Sequence, residues 1–278
     1  MLRQQIMLRS TQGIRRNFLA LIFCSLVSLA WGGPAFPQKV IEYQGIRFCL
    51  IPAGVYLLGS PASEPGRYAH EPLPYPVSLP AFYISDTEIT NAQYSRFLKA
   101  TRRPPPLYWQ DGHLNGPDHP VVGVTWYDAV AFAEWLTQTT GVPHRLPTEV
   151  QWEAAARGGL VGQPYPWGSQ PPHDGTLYRA NYYPSHFDDD GFRFTSPVRS
   201  FPPNGYGLFD MAGNVAEWCQ DSYTHSRTQT VFGPKENRIL KGGSWYSRAR
   251  DLRCAARQLA PPSTADGFIG FRVVRLHP

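Results

Sequence analysis

The residues best suited to chemistry in this chain are oxygen donors held in turns. Asp188-Asp189-Asp190-Gly191 and the run Asn204 to Trp218, N-G-Y-G-L-F-D-M-A-G-N-V-A-E-W, set carboxylates among glycines and amides. A hard cation wants about six to eight such oxygens, converged by tight turns. The D-D-D-G run lacks the D-x-D-x-D-G spacing of an EF-hand, and the plainer account of these carboxylates is capping of local backbone amides without a metal. A second set, Arg248, Arg250, Arg253 and Arg257 with Trp245 and Tyr246, suits a groove for an anionic or peptidic ligand, or else a solvated basic edge paired with Asp251 and Asp266.

Other chemistries find no support. The 8 histidines show no H-E-x-x-H or comparable zinc spacing. Ser244 lies in G-G-S-W, which is not the G-x-S-x-G elbow of a serine hydrolase, and no glycine loop precedes a helix to cradle phosphate. Glu149 and Glu153 lie four apart on one helix face, where pairing with Arg145 and Arg157 is the bland reading.

Three helices should position these groups, each announced by a Thr N-cap with Gln or Asp three places on: Thr90/Gln93, Thr125/Asp128 and Thr148/Gln151. Their apolar stripes are Tyr94, Phe97 and Leu98; Trp126, Val130, Ala133 and Leu136, stopped by Gly141; and Val150, Trp152, Ala155 and Ala156, stopped by Gly158. Ile41 to Leu58 reads as a hairpin-like entry. Pro76 to Ile84 reads as a further strand, which Pro80 assigns to an edge. Arg238 to Leu240 and Phe268 to Arg275 read as closing strands. Gly159 to Asn237 shows little periodicity, yet its aromatic content is too high for disorder, so specific contacts or ions must order it.

The composition agrees. Among 278 residues, 25 glycines, 28 prolines and 14% aromatics suggest many turns held by large rigid side chains. No internal repeat and no linker point to a second domain. Residues 1–35 read as an export signal: Arg3, Arg9, Arg15 and Arg16, an apolar run Phe18 to Trp31, then small residues. Arg15-Arg16-Asn17-Phe18-Leu19 also fits the twin-arginine pattern, and that route and the general secretory one both stay open. Without the leader's four arginines the balance is 22 basic against 21 acidic residues. No basic patch then argues for nucleic acid, and no second apolar stretch suggests a membrane span. The expected address is periplasmic or secreted. Cys24 belongs to the leader, and the bulky Phe23 before it argues against lipidation. That leaves Cys49, Cys219 and Cys254, enough for one bond and one thiol in an oxidising compartment.

The Asn204–Trp218 run resembles the central motif of the formylglycine-generating enzyme (sulfatase-modifying factor) family. Further segments agree: R-L-P-T-E-V-Q-W-E-A-A-A-R-G-G from Arg145, Y-P-W-G from Tyr165, G-G-S-W from Gly242 and G-F-R from Gly270. The resemblance covers nearly everything after residue 45 and implies one α+β domain over residues 36–278, related to C-type lectin-like folds, with short strands, few helices and long ion-fastened loops. It implies two structural calcium sites, one of Asn181, Tyr182, Asp190 and Phe192, the other of Asp210, Gly213, Val215 and Glu217. It also implies a Cys219–Cys254 disulfide; Cys49, in the apolar run Phe48 to Ile51, reads from its own neighbours as a buried inert thiol.

The resemblance breaks at the family's oxidase centre. Oxidising members carry C-x4-C just after G-G-S, because soft thiolates select copper(I). Here Ser247 stands at the first cysteine, and the chain is three residues shorter where the second would fall, reaching A-A-R at Ala255 to Arg257. Copper is therefore not expected. The pocket residues become Ser244, Trp245, Ser247, Arg248 and Arg250, without a redox centre. Three functions remain. The first is a cysteine-independent maturation or accessory factor acting on a peptide or exported protein, like the family branch linked to pyoverdine-type siderophore oxidation. The others are a non-catalytic peptide- or protein-binding module and, disfavoured by the missing pair, formylglycine generation itself.

Overall fold

The computed structural model describes residues 39–183, 189–222 and 237–276. All belong to one compact unit, Trp31–Pro278; the expected export signal lies outside the described residues. The fold is α+β, as the family resemblance implies.

All three capping boxes form. Thr90, Thr125 and Thr148 accept from the amides of Gln93, Asp128 and Gln151, and those side chains return a bond to the cap amide. They open α1 (Asn91–Thr101), α2 (Trp126–Thr140) and α3 (Glu149–Ala156). Gly141, at φ 72°, closes α2; Gly158 and Gly159, at φ 58° and 87°, follow α3, since only glycine takes that backbone without strain.

The entry segment is three strands, broken at Gly45 and at the Pro-Ala-Gly turn 52–54: β1 (Val40–Tyr43), β2 (Ile46–Ile51) and β3 (Gly54–Leu58). Gln44 and Gly45, both at positive φ, make the two-residue turn between β1 and β2. The expected strand around Pro80 is two strands, β4 (Tyr75–Leu79) and β5 (Phe82–Ser85). β4 pairs only with β3, whereas β5 lies in the middle of a five-stranded sheet, order β1-β2-β5-β11-β6, with β6 at His144–Arg145 and β11 at Val274–Leu276. Pro80 therefore marks a step from one sheet to another, where its missing N–H costs no ladder bond. A four-stranded sheet, order β10-β7-β8-β9, is built from β7 (Ala216–Ser222), β8 (Arg238–Lys241), β9 (Gln258–Ala260) and β10 (Ile269–Gly270), with β10 parallel to β7.

The long aperiodic segment is ordered by side chains that serve backbone groups. Asn204 Nδ2 donates to the Ala155 and Ala156 carbonyls at 2.8 and 3.0 Å, satisfying the open end of α3. Its Oδ1 accepts from the amides of Tyr206 and Leu208. Gly205 follows because a Cβ there would lie 2.3 Å from the Gly158 carbonyl oxygen. The N-G-Y-G start of the signature is thus a C-terminal clamp on α3. Replacing Asn204 with Ala strands the Ala156 carbonyl and two amides in a mostly buried turn, while the Ala155 carbonyl keeps the Gly158 amide. The loss should be about 3 kcal/mol, read as a lower urea midpoint at unchanged m-value; an unchanged midpoint would show that the clamp contributes nothing.

Candidate functional site

The G-G-S-W turn leaves β8 through Gly242 and Gly243, at φ 89° and 67°. A Cβ on Gly242 would meet the Trp152 ring at 3.1 Å, and one on Gly243 would meet Leu252 Cδ2 at 2.9 Å. The Gly242 carbonyl accepts from the Gly213 amide and the Trp245 amide donates to Asn214, both at 2.9 Å. The G-G-S-W turn and the G-N turn of the signature are therefore one structure. On it, Ser244 and Ser247 are buried with their hydroxyls 3.1 Å apart, and the Ser247 carbonyl accepts from the Tyr183 amide. Trp245 is fixed by its Nε1 donating to the Gly267 carbonyl at 3.0 Å. Tyr246 stands 57% exposed, stacked on Phe268. Phe194 packs edge-on to Trp245, and Arg193 lies over Phe194.

The four arginines do not share a groove. Arg248 and Arg250 are exposed, Arg250 with its guanidinium 4.7 Å from the Tyr68 ring centre. Arg253 and Arg257 are buried, because each neutralises carboxylates inside the protein. Arg257 reaches Glu149. Arg253 binds both oxygens of Glu71, Glu64 at 2.7 Å and the Gly66 carbonyl at 2.9 Å, and Glu71 also accepts from Ser60 Oγ and the Tyr68 amide. One guanidinium thus welds the loop 59–72 to the segment carrying the candidate site. Glu153 pairs with Arg157 as expected, but Glu149 pairs with Arg257 and Lys241 rather than Arg145. Asp251, instead of pairing with an exposed arginine, accepts from the Arg248 amide and the Tyr68 hydroxyl.

The expected calcium ligands fall into two adjoining turns. The Asn181 carbonyl accepts from the Asn214 amide at 2.8 Å and faces Gly213, where a Cβ would lie 2.2 Å from it. In the first set, the Asp190 oxygens accept from the Tyr182 and Phe192 amides at 2.9 and 3.0 Å, which is the capping arrangement. Asn181 Oδ1 is buried without a hydrogen-bond partner among the described residues and is the oxygen there that suits a cation.

In the second set, Val215 is wholly buried just before β7, and Glu217 is fully engaged. It accepts from Arg272 Nε and Nη2 at 2.6 and 2.8 Å and from Trp152 Nε1 at 2.7 Å. Asp210 Oδ2 accepts from the Arg199 amide at 2.8 Å, while its Oδ1 has no hydrogen-bond partner among the described residues. Glu88, which no sequence motif marks, is wholly buried, and neither of its oxygens has a hydrogen-bond partner among the described residues. Burial, then the charge of Asp210, pushes Glu88 well above the carboxylate range, and burial pushes Asp210 up to about 6. Among the described residues no three His, Cys, Asp or Glu side chains converge as a metal cluster, so any cation here must draw on carbonyls as well.

The expected Cys219–Cys254 bond is not formed: Cys49, Cys219 and Cys254 are free, buried thiols in one apolar cluster. There each packs as a small hydrophobe. Burial pushes Cys49 up to about 11 and Cys254 up to about 12, with Cys219 also well above its usual value. None has the thiolate character that a nucleophile or soft-metal ligand needs.

A family model for the sulfatase-modifying factor enzyme 1-like domain matches residues 36–277. The chain is similar to the formylglycine-generating enzyme of Bos taurus, 31% identical over 307 residues, spanning 90% of this chain and 78% of that protein. It is also similar to the inactive C-alpha-formylglycine-generating enzyme 2 of Bos taurus, 39% identical over 162 residues, 56% of this chain and 50% of that one. Among solved structures, PvdO from Pseudomonas aeruginosa matches with TM-score 0.74 at 31% identity, over 87% of this chain and 99% of that one.

The Arg253 weld yields a signed pH prediction. Burial raises the Glu71 pKa, but bonds from Arg253 and Ser60 outweigh it and hold the carboxyl below its usual value. A depressed folded pKa contributes stability that is present above the unfolded value and lost as pH falls through the folded one. Arg253→Met should cost about 3–5 kcal/mol at neutral pH, because it leaves buried carboxylates uncompensated. Its stability should then recover on acidification, where the native protein's declines. Parallel pH–stability curves for the two proteins would refute this account.

Proposed function

Because the chain belongs to the sulfatase-modifying factor enzyme 1-like family, we propose that it is an exported, cysteine-independent maturation or accessory factor acting on a peptide or exported protein. The observation that carries this reading is the buried Ser244–Ser247 hydroxyl pair, in which Ser247 aligns in sequence with the first copper-binding cysteine of oxidising members. A hydroxyl is a hard, weakly acidic ligand and does not select copper(I). The three described thiols are buried with raised pKa values, so none replaces it. The family also contains a protein named inactive, so the fold does not require the oxidase. Calcium serves as a structural ion in this reading, supported by the partnerless oxygens of Asn181 and Asp210. Periplasmic or secreted residence follows from the basic and apolar leader read in the sequence. A second reading, a non-catalytic binding module, draws on the exposed Tyr246 and Arg248 beside the Trp245–Phe194 aromatic pair.

The test is conversion of a peptide bearing C-x-P-x-R, followed by mass, with and without copper(I), together with copper affinity measured by competition. The expected outcome is neither conversion nor tight copper binding. Copper-dependent oxidation of the peptide's cysteine, lost in Cys254→Ser, would establish formylglycine generation and overturn the proposal.

A further inference from the structure

Among the described residues, five arginines are buried: Arg157, Arg253, Arg257, Arg272 and Arg275. Four of them meet a carboxylate, Arg157 at Glu153, Arg253 at Glu64 and Glu71, Arg257 at Glu149 and Arg272 at Glu217. Arg275 meets none. It stands on β11 in the five-stranded sheet, paired across with Tyr83 of β5 on one side and His144 of β6 on the other, and it is 8% exposed. Its guanidinium carbon lies 5.3 Å from the ring centre of Tyr43 on β1 and 5.4 Å from that of Tyr83. Its Nε is buried without a hydrogen-bond partner, and no described residue offers an acceptor to its other nitrogens. His144 is no counter-charge, since its Nδ1 donates to the Val142 carbonyl at 2.7 Å and its Nε2 is buried without a partner among the described residues. Burial holds that imidazole below its usual pKa, and the Arg275 charge adds to the effect.

A charged side chain is seldom buried unless it is paired, and a guanidinium, unlike a buried lysine or carboxylate, cannot escape by changing its protonation. The two tyrosine rings attract the cation through their faces but bring no negative charge. What the site lacks is an anion. We propose that Arg275 is the floor of a small-anion site bordered by Tyr43 and Tyr83, and that it takes a carboxylate the size of formate or acetate. The fork of parallel N–H groups matches two carboxylate oxygens at once, which a spherical halide cannot do. The small exposure left to Arg275 limits the ligand to one of a few atoms. The site belongs to the five-stranded sheet, whereas the G-G-S-W turn leaves β8 of the four-stranded one, so the inference stands apart from the peptide reading and from calcium.

The experiment follows the melting temperature of the full chain while sodium formate, acetate, chloride or sulfate replaces sodium HEPES at constant ionic strength. An anion that binds only the native state raises the melting temperature along a binding curve, whereas a general salt effect keeps growing with concentration. Formate and acetate should each give a saturating rise in the wild type. Chloride should need at least tenfold more, and sulfate, a tetrahedral dianion, should give no saturating rise. The response to formate should vanish in Arg275→Gln. It should weaken at least tenfold in Arg275→Lys, which keeps the charge and the stem but loses the fork and serves if the glutamine variant does not fold. A wild type without a saturating response to formate, or a full response in Arg275→Gln or Arg275→Lys, would overturn the proposal. Chloride acting at the same concentrations as formate would overturn the carboxylate assignment in favour of a halide.

Discussion

The fold depends on a guanidinium and a carboxylate that have both left water completely. Arg272 and Glu217 are each 0% exposed and meet through two bonds. Isolated, either charge would be prohibitive in this interior; together, with every Arg272 donor group placed on an oxygen, they are tolerable. Their value lies in what they align. Arg272 bonds the Ser85 carbonyl at the end of β5 and the Phe209 carbonyl in the signature loop, while Glu217 on β7 takes the indole N–H of Trp152 on α3. Two sheets, one helix and the longest loop are thus fixed relative to a single ion pair. That is the physical content of both G-F-R and the E-W that closes the signature.

Around that pair, order is extended by polar side chains acting as substitutes for regular secondary structure. Asn204 clamps α3, and Asn214 Oδ1 accepts from the Ser196 amide at 2.9 Å. Trp218 Nε1 donates to the Val124 carbonyl and Trp126 Nε1 to that of Cys219, so the large rings contribute buried area and direction at once. Glycines occur where two backbones touch, as at Gly205 against Gly158 and Gly213 against Asn181. A segment built this way has no periodicity because its partners are distant in sequence.

That difference explains what was legible. Capping boxes are local, and all three helix starts could be read from four residues each, even the weaker Thr125/Asp128 pair. Strand β7 could not be read: Ala216 to Cys219 are all buried, so the alternation that marks a half-exposed strand is missing. Pro80 was read as an edge marker because a single sequence does not show that the chain changes sheets there. The four arginines looked alike in sequence, and only the fold separates Arg253, surrounded by Glu64 and Glu71 from far upstream, from the exposed Arg248. Glu88 carried no signal at all. A lone acid before a capping box is common, and its want of a partner is a property of three dimensions.

The candidate site is held to this framework through backbone and glycines rather than through the side chain at 247. Ser244 and Ser247 hang from a turn whose shape is set by Gly242, Gly243 and backbone bonds to Gly213 and Asn214, and none of these depends on the side chain at 247. A change of side chain at 247 would leave those backbone bonds in place, and the hydroxyl present lies 3.1 Å from that of Ser244. The buried pair Arg272–Glu217, the Asn204 clamp and the Arg253 weld likewise take no bond from the Ser247 side chain. Retention of the fold is accordingly weak evidence for retention of the oxidase, and activity has to be argued from the residues at the turn.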